Sequence, residues 1–251
     1  MKYIGLDIAT ATGWSFFEDD KLIERGTIQL ISGLELPQKL HYFHLELTNL
    51  LNRLQPEQCF IEDVILGISG AKTLAYLARL NGVAINAAFS VLQERVKLYE
   101  PTYWKAHSFP ELGGMAKKWQ IQLAAIKYYN LPITGNFDTI EKIVEEEEAG
   151  ILVKKNLSKE LRVKINKLKA SVNGKRDPLT DDQKKQVKDE IKSTEAACTQ
   201  AKYDAKKLQQ QFDKRMVKMS NDISAQTGMT ENICDSCGVA LCGYKESNVQ
   251  N

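Results

Sequence analysis

Lys2-Tyr-Ile-Gly-Leu-Asp7-Ile-Ala-Thr-Ala-Thr-Gly13-Trp-Ser-Phe-Phe17 decides the fold. β-branched and aromatic residues run up to a single carboxylate, Asp7, turn over Ala9 to Gly13, and resume as an apolar run. The pattern predicts two strands of a hairpin, residues 2–8 and 13–18, with a third strand over 21–31. A charge inside a strand that belongs to a core is costly unless something pairs with it. A metal ion is the usual partner, so Asp7 marks a site rather than scaffold.

Outward from the hairpin, the chain alternates strands and helices. Leu36, Leu40, Phe43, Leu47, Leu50, Leu51 and Leu54 recur at helical spacing and predict a helix over 34–54, ending before Pro56. Gln58 to Ile65 reads as a short buried strand, Ala71 to Arg95 as a helix rich in small residues, and Val96 to Glu100 as a strand followed by a loop at Pro101. A helix follows over Lys117 to Tyr129, closed by Asn130-Leu-Pro132. A last helix runs from Ala225 or Thr230 to Tyr244. This order predicts an α/β fold, a mixed sheet flanked by helices.

The segment between these elements is of another kind. Leu157, Leu161, Ile165, Leu168 and Val172 repeat at spacings of three and four, and after Asn173-Gly-Lys-Arg-Asp-Pro178 a heptad seam runs through Val187, Ile191, Thr194, Cys198, Ala201, Ala205, Leu208, Phe212 and Met219. Thr180 or Asp181 is placed to cap the second helix. The pattern predicts an antiparallel helical coiled-coil hairpin inserted over 136–222 into a domain made of 1–135 and 223–251.

Charge divides the chain in the same place. The whole carries 34 Lys/Arg against 32 Asp/Glu, a net of +2. Residues 154–219 hold 19 against 9, a net of +10, which leaves 15 against 23, or −8, elsewhere. Basic modules meet nucleic acid, and acidic clusters hold metal; a solvated helix face is the plainer reading of the basic segment. There is no uninterrupted apolar run of membrane-spanning length and no apolar leader, since Asp7 breaks it, so a cytoplasmic protein with no membrane partner is expected. Five cysteines (59, 198, 234, 237, 242) fit buried reduced thiols better than disulfides or zinc, which needs four ligands.

Two further carboxylates join Asp7. Glu62 ends the apolar run Cys-Phe-Ile-Glu, and Asp235 lies in a late helix of small residues, Cys234-Asp-Ser-Cys-Gly-Val-Ala-Leu-Cys242. Glu231 and Asn232 precede Asp235 by four and three residues, which puts both on its helix face. Carboxylates from two strand ends and a helix can converge on a pair of hard divalent cations, Mg²⁺ or Mn²⁺. Two such ions about 4 Å apart stabilise the attacking and leaving oxygens of a phosphodiester.

These residues, in this order, resemble the RuvC-type Holliday-junction resolvases of the RNase H-like superfamily, particularly phage-encoded members. The resemblance runs through residues 1–134 and 229–244, with the helical insertion as the main departure. Ile-Gly-Leu-Asp-Ile-Ala-Thr-Ala-Thr-Gly-Trp is similar to the family's first strand and turn, Phe-Ile-Glu-Asp-Val to the strand of the second ligand, and residues 79–88 to a helix at the dimer interface. The resemblance implies Asp7, Glu62 and Asp235 as catalytic metal ligands. The family's usual Asp or His three residues before the last Asp is Asn232 here, which can bind a metal through its side-chain carbonyl oxygen, and Glu231 can substitute from the neighbouring position, so both join the candidate metal ligands. It further implies Lys105 beside the scissile phosphate, and Lys117 and Lys118, at a helix start that favours phosphate, as DNA contacts. His107, two residues after Lys105, is a further DNA contact. Val64, Ile65 and Leu66 stand where some members place a junction wedge.

What this implies is a Mg²⁺-dependent endonuclease that cuts opposed strands of a four-way or branched DNA junction as a homodimer. The coiled coil would extend along a DNA arm, serve as a partner surface, or be a purely structural insertion. A non-catalytic junction binder is the rival that Asn232 keeps open. An actin-like ATPase needs a second lobe with its own Gly-rich loop, for which this chain has neither the length nor the motif.

Overall fold

A computed structural model describes residues 1–64, 70–130, 137–173 and 179–249. Five strands, β1 (Lys2–Asp7), β2 (Ala11–Glu18), β3 (Lys21–Gln29), β4 (Gln58–Glu62) and β5 (Val96–Tyr99), form one sheet in the order β3-β2-β1-β4-β5. β1, β2 and β3 pair antiparallel, while β4 runs parallel to β1 and β5 parallel to β4. The first turn is tighter than expected. Asp7 pairs with Gly13, and β2 already begins at Ala11, because the Thr12 hydroxyl donates to the Ala9 carbonyl and accepts from the Ala9 amide.

Period-two alternation sorts the sheet's two faces. Ile4 and Leu6 of β1, Ile8 just after it, and Cys59 and Ile61 of β4 point to the main apolar core. There they meet Phe43, Leu47 and Leu51 of α1 (Leu36–Leu54) and Leu80, Ala84 and Ala88 of α2 (Ala71–Leu92). Tyr3, Gly5 and Asp7 of β1, and Phe60 and Glu62 of β4, therefore face the other way, towards the last helix. Helix α2 is long and apolar enough by composition to cross a membrane, although no uninterrupted apolar run marks it. It buries one face on α1 and the sheet and leaves Ala71, Ala75, Ala78, Gly82 and Phe89 exposed.

After β5 the backbone departs from expectation. The segment at Pro101 is not a loop but a helix, α3 (Pro101–Ser108), with proline in its first turn, where a missing N–H costs nothing. α4 (Lys118–Tyr128) follows, and Ile65, Leu66 and residues 131–132 lie outside the described residues.

Contacts divide the chain into two units, Met1–Thr134 with Ser220–Asn251, and Gly135–Met219. The second unit contains α5 (Phe137–Asn173) and most of α6 (Asp181–Thr227). Thr180 and Gln183 cap the start of α6 reciprocally, hydroxyl to backbone and amide oxygen to backbone. The two helices run antiparallel, since Arg215 pairs with Glu147, Cys198 meets Ser158 and Glu190 pairs with Lys164. Ile151, Ser158, Ile165, Thr194, Cys198, Ala201, Ala205, Phe212 and Met216 are buried. The α5 seam thus passes through Ser158 and not Leu157, which is displaced to an exposed edge. Small side chains at Ser158, Ala201 and Ala205 let the backbones approach, where a leucine would hold them apart.

Candidate metal centre

Asp7 and Glu62 end neighbouring parallel strands. Leu6 pairs with Ile61, and each carboxylate is the next residue, on the same face of the sheet. The C-terminal edge of adjacent parallel strands is where α/β sheets gather their ligands.

The third carboxylate arrives on α7 (Glu231–Val249), which lies flat on that face. Two strand glycines make the approach possible. A Cβ on Gly5 would come within 2.1 Å of the Ser236 carbonyl oxygen, and one on Gly13 within 2.1 Å of the Asn232 carbonyl oxygen. Cα-only residues in strands mark such close backbone passage. Further along, Gly238 seats the Trp104 ring and Gly243 seats Phe60. The small residues of α7 let helix and sheet meet at backbone distance, which places Asn232 and Asp235 over the end of β1.

Asp7, Glu62, Asn232 and Asp235 line one cavity of about 410 Å³, and the cations lining it are Lys105 and Lys118. Burial raises all three carboxyls above their ordinary range. Glu62 is pushed up to about 7, by burial first and then by the Asp235 charge, with Lys105 opposing. Burial likewise brings Asp235 to about 6 against the pull of Lys105 and Lys118. Asp7 is raised by burial and then by Glu62 and Asp235. Asp235 Oδ1 is buried with no hydrogen-bond partner among the described residues. Desolvated carboxylates that repel one another are a configuration that a divalent cation relieves. The oxygen-only donor set and the orphaned Oδ1 fit such an ion. Among the described residues, no three His, Cys, Asp or Glu side chains already converge tightly enough to enclose one.

The neighbours of this cavity have definite partners. Trp104, fully buried, donates its indole N–H to Glu62 Oε2 at 3.2 Å, and Lys105 Nζ lies 5.3 Å from the Trp104 ring centroid. The Asn81 amide donates to the Glu62 carbonyl at 2.9 Å. Asn232 donates its amide to the Ala11 carbonyl, tying α7 to the first turn. Glu231 is outside the cavity lining and ion-pairs with Lys118. Lys117 precedes α4, where its amide donates to Gln120 Oε1 at 2.8 Å, and it does not line the cavity. His107 lies apart from the cavity as well, stacked on Tyr103 with ring centroids 4.0 Å apart. The cysteines are all buried and unpaired, and burial pushes the Cys237 and Cys242 thiols up to about 12, so they behave as small apolar side chains.

Trp104, Asn81, Gly5 and Gly13 were not singled out by sequence reasoning. The glycines carried a signal, two of them interrupting apolar strands. Trp104 did not, because a loop at Pro101 gave no face on which to place it.

A five-stranded mixed sheet in the order 3-2-1-4-5, flanked by helices and with carboxylates at the ends of its central parallel pair, fits the RNase H-like α/β fold. Sequence comparison adds relatives within it. The chain is 32% identical over 92 residues to the crossover junction endodeoxyribonuclease RuvC of Magnetococcus marinus, covering 35% of this chain and 51% of that protein. It is 27% identical over 147 residues to RuvC of Ehrlichia chaffeensis, covering 57% of this chain and 92% of the relative. The chain therefore spans about half the length of the first of these proteins and nearly all of the second, and it is similar in sequence to the RuvC proteins. Among solved structures, Thermus thermophilus RuvC in complex with a Holliday junction substrate superposes with a TM-score of 0.46 at 18% identity, over 54% of this chain and 84% of that one. No family model matches.

Proposed function

We propose that the protein is a metal-dependent endonuclease that resolves four-way or branched DNA junctions by hydrolysing phosphodiesters in opposed strands. The observation that carries this reading is the convergence of Asp7, Glu62 and Asp235 on one cavity with Asp235 Oδ1 unsatisfied. The RuvC relatives support the choice of substrate.

In this reading Asp7, Glu62 and Asp235 hold Mg²⁺, for which Mn²⁺ substitutes, and the Asn232 side-chain oxygen is a fourth donor. When bound, the cation supplies Lewis-acid polarisation of the phosphodiester and favours ionisation of the attacking water. The protein's own groups do the positioning. The Trp104 indole fixes one Glu62 oxygen and so orients the carboxylate that lines the cavity. Lys105 and Lys118 present positive charge to the phosphate and to the charge that develops as the bond breaks. Glu231, the candidate donor next to Asn232, orients Lys118 through their ion pair. Lys117 and His107 would contact DNA outside the reacting phosphate.

Two matched cuts require two active sites, so the working form is a two-fold homodimer. The exposed stripe Ala71, Ala75, Ala78, Gly82 and Phe89 on α2 suits close packing on its counterpart. Residues 136–222 are an antiparallel coiled-coil insertion into a nuclease domain of 1–135 and 223–251, acting in the cytoplasm of a bacterial or phage-infected cell. A non-catalytic junction binder is the second reading, favoured by Asn232, which cannot serve as a base.

Labelled four-way junction incubated with the protein and Mg²⁺ separates the two. Paired symmetric nicks are expected. Asp7→Asn should lower the rate by about a thousandfold or more while junction affinity in EDTA stays within a few-fold. Junction binding without nicks, by both the parent and Asn232→Asp, would establish the binder instead.

A further inference from the structure

The helix pair carries a groove whose charge has no counterpart. Lys155, Lys159 and Arg162 of α5 and Lys202 and Lys206 of α6 line a groove of about 530 Å³ that no carboxylate enters. Lys155 donates to Gln209 Oε1. The other four make no ion pair among the described residues. All five are exposed. This contrasts with both ends of the helix pair, where ion pairs join the two helices. Lys169 meets Glu195 at 2.8 Å beyond one end of the groove, and Arg215 meets Glu147 beyond the other. Interhelical ion pairs are the usual filling of coiled-coil flanks. A flank that carries them at its ends and drops them in the middle spends repulsion between five like charges for no gain in helix pairing.

We infer that this groove is a binding site for the sugar-phosphate backbone of duplex DNA, resting on the nuclease reading above for the choice of nucleic acid over other polyanions. The eight residues from Lys155 to Arg162 span about 10 Å of helix. Duplex DNA presents a charge about every 1.7 Å of its axis, so several phosphates fall within that span. Cations on two parallel rails, with a trough between them, accept a continuous backbone better than a point anion. Cations that meet phosphate oxygens carry no sequence information, so the grip is independent of base sequence. Its function is to hold a DNA arm by its backbone.

The test measures binding of the full-length protein to a fluorescent four-way junction and to linear duplex, in EDTA, over a series of salt concentrations. Replacing four cations together, by Lys159→Gln, Arg162→Gln, Lys202→Gln and Lys206→Gln, should flatten the slope of log affinity against log salt by about 3 to 4. Affinity at physiological salt should fall roughly 10- to 100-fold for both DNAs. An equal loss of charge at exposed lysines outside the groove, by Lys167→Gln, Lys185→Gln, Lys188→Gln and Lys192→Gln, should change the slope by less than half as much. A charge-preserving set, Lys159→Arg, Arg162→Lys, Lys202→Arg and Lys206→Arg, should keep the parent slope, and loss of binding in that set would overturn the inference. So would an unchanged slope in the glutamine set, which points to an acidic protein surface as the occupant. A parent protein that binds neither DNA overturns both this inference and the nuclease reading, whereas parent binding with an insensitive groove overturns the inference alone.

Discussion

The sheet's carboxylate cavity and the basic groove of the helix pair hold opposite deficits. In the first, three carboxylates are desolvated with little positive charge to balance them. In the second, five cations are exposed to water with no negative charge at all. Burial makes the first deficit expensive and local, while solvent screening makes the second cheap and long-ranged. Each is tolerable only as half of an interaction, one with a small hard cation and the other with an extended anion. Charge imbalance in a folded protein thus points to its ligand, and its depth indicates whether that ligand is an ion to be enclosed or a polymer to be touched.

The sharpest way to break the comparison is through the glycine that lets α7 reach the carboxylates. Gly13→Ala sets a methyl 2.1 Å from the Asn232 carbonyl oxygen, where backbone must move. We expect a loss of about 3 kcal/mol in unfolding free energy by denaturant titration, with cleavage lost along with α7's seat. An unchanged midpoint would mean that α7 does not press on β2.

Next in size is the cost of the buried charges themselves. Glu62 and Asp235 bind protons in the folded protein up to about pH 7 and 6, above their unfolded values. Native protein thus holds more protons than unfolded chain between about pH 4 and 7, so stability falls as pH rises through that window. Asp235→Asn removes one of these charges. The metal-free variant should be more stable than the parent by on the order of 2–3 kcal/mol at pH 8, and nearly equal to it at pH 4. Calorimetry in EDTA checks the sign, and a gain independent of pH would break the electrostatic account. Mg²⁺ should raise the parent's midpoint at pH 8 more than the variant's.

The smallest effect belongs to the helix pair. Lys164 and Glu190 are joined at 2.8 Å, yet both are about half exposed. Lys164→Gln should cost less than about 1 kcal/mol in thermal unfolding, and less still at high salt. A large loss would show that exposed pairs hold the helices together, against the contrast between buried and solvated charge.

Much of this was legible in the residues, for reasons that differ by element. Asp7 and Glu62 stand out because each ends an apolar run, and strand alternation follows from that pattern alone. The two long helices follow from their heptads, but the α5 seam is displaced by one residue because Leu157 yields to Ser158 in a close approach that only the partner helix imposes. The uncompensated groove was invisible for the same reason: whether Lys159 has a carboxylate nearby depends on cross-helix register, not on its neighbours in sequence. The Trp104 contact to Glu62 was hidden by the reading of Pro101 as a loop, when proline was in fact opening a helix.

The position of α7 in the chain order has a consequence in time. A ribosome that has completed residues 1–130 has already made Asp7, Glu62 and Lys105, but Asp235 waits behind both long helices. Until then the sheet face bearing Tyr3, Gly5 and Phe60 is uncovered, and the cavity is one carboxylate short. A chain interrupted anywhere in the helix pair therefore lacks Asp235, and the cavity is completed only after both long helices have been made.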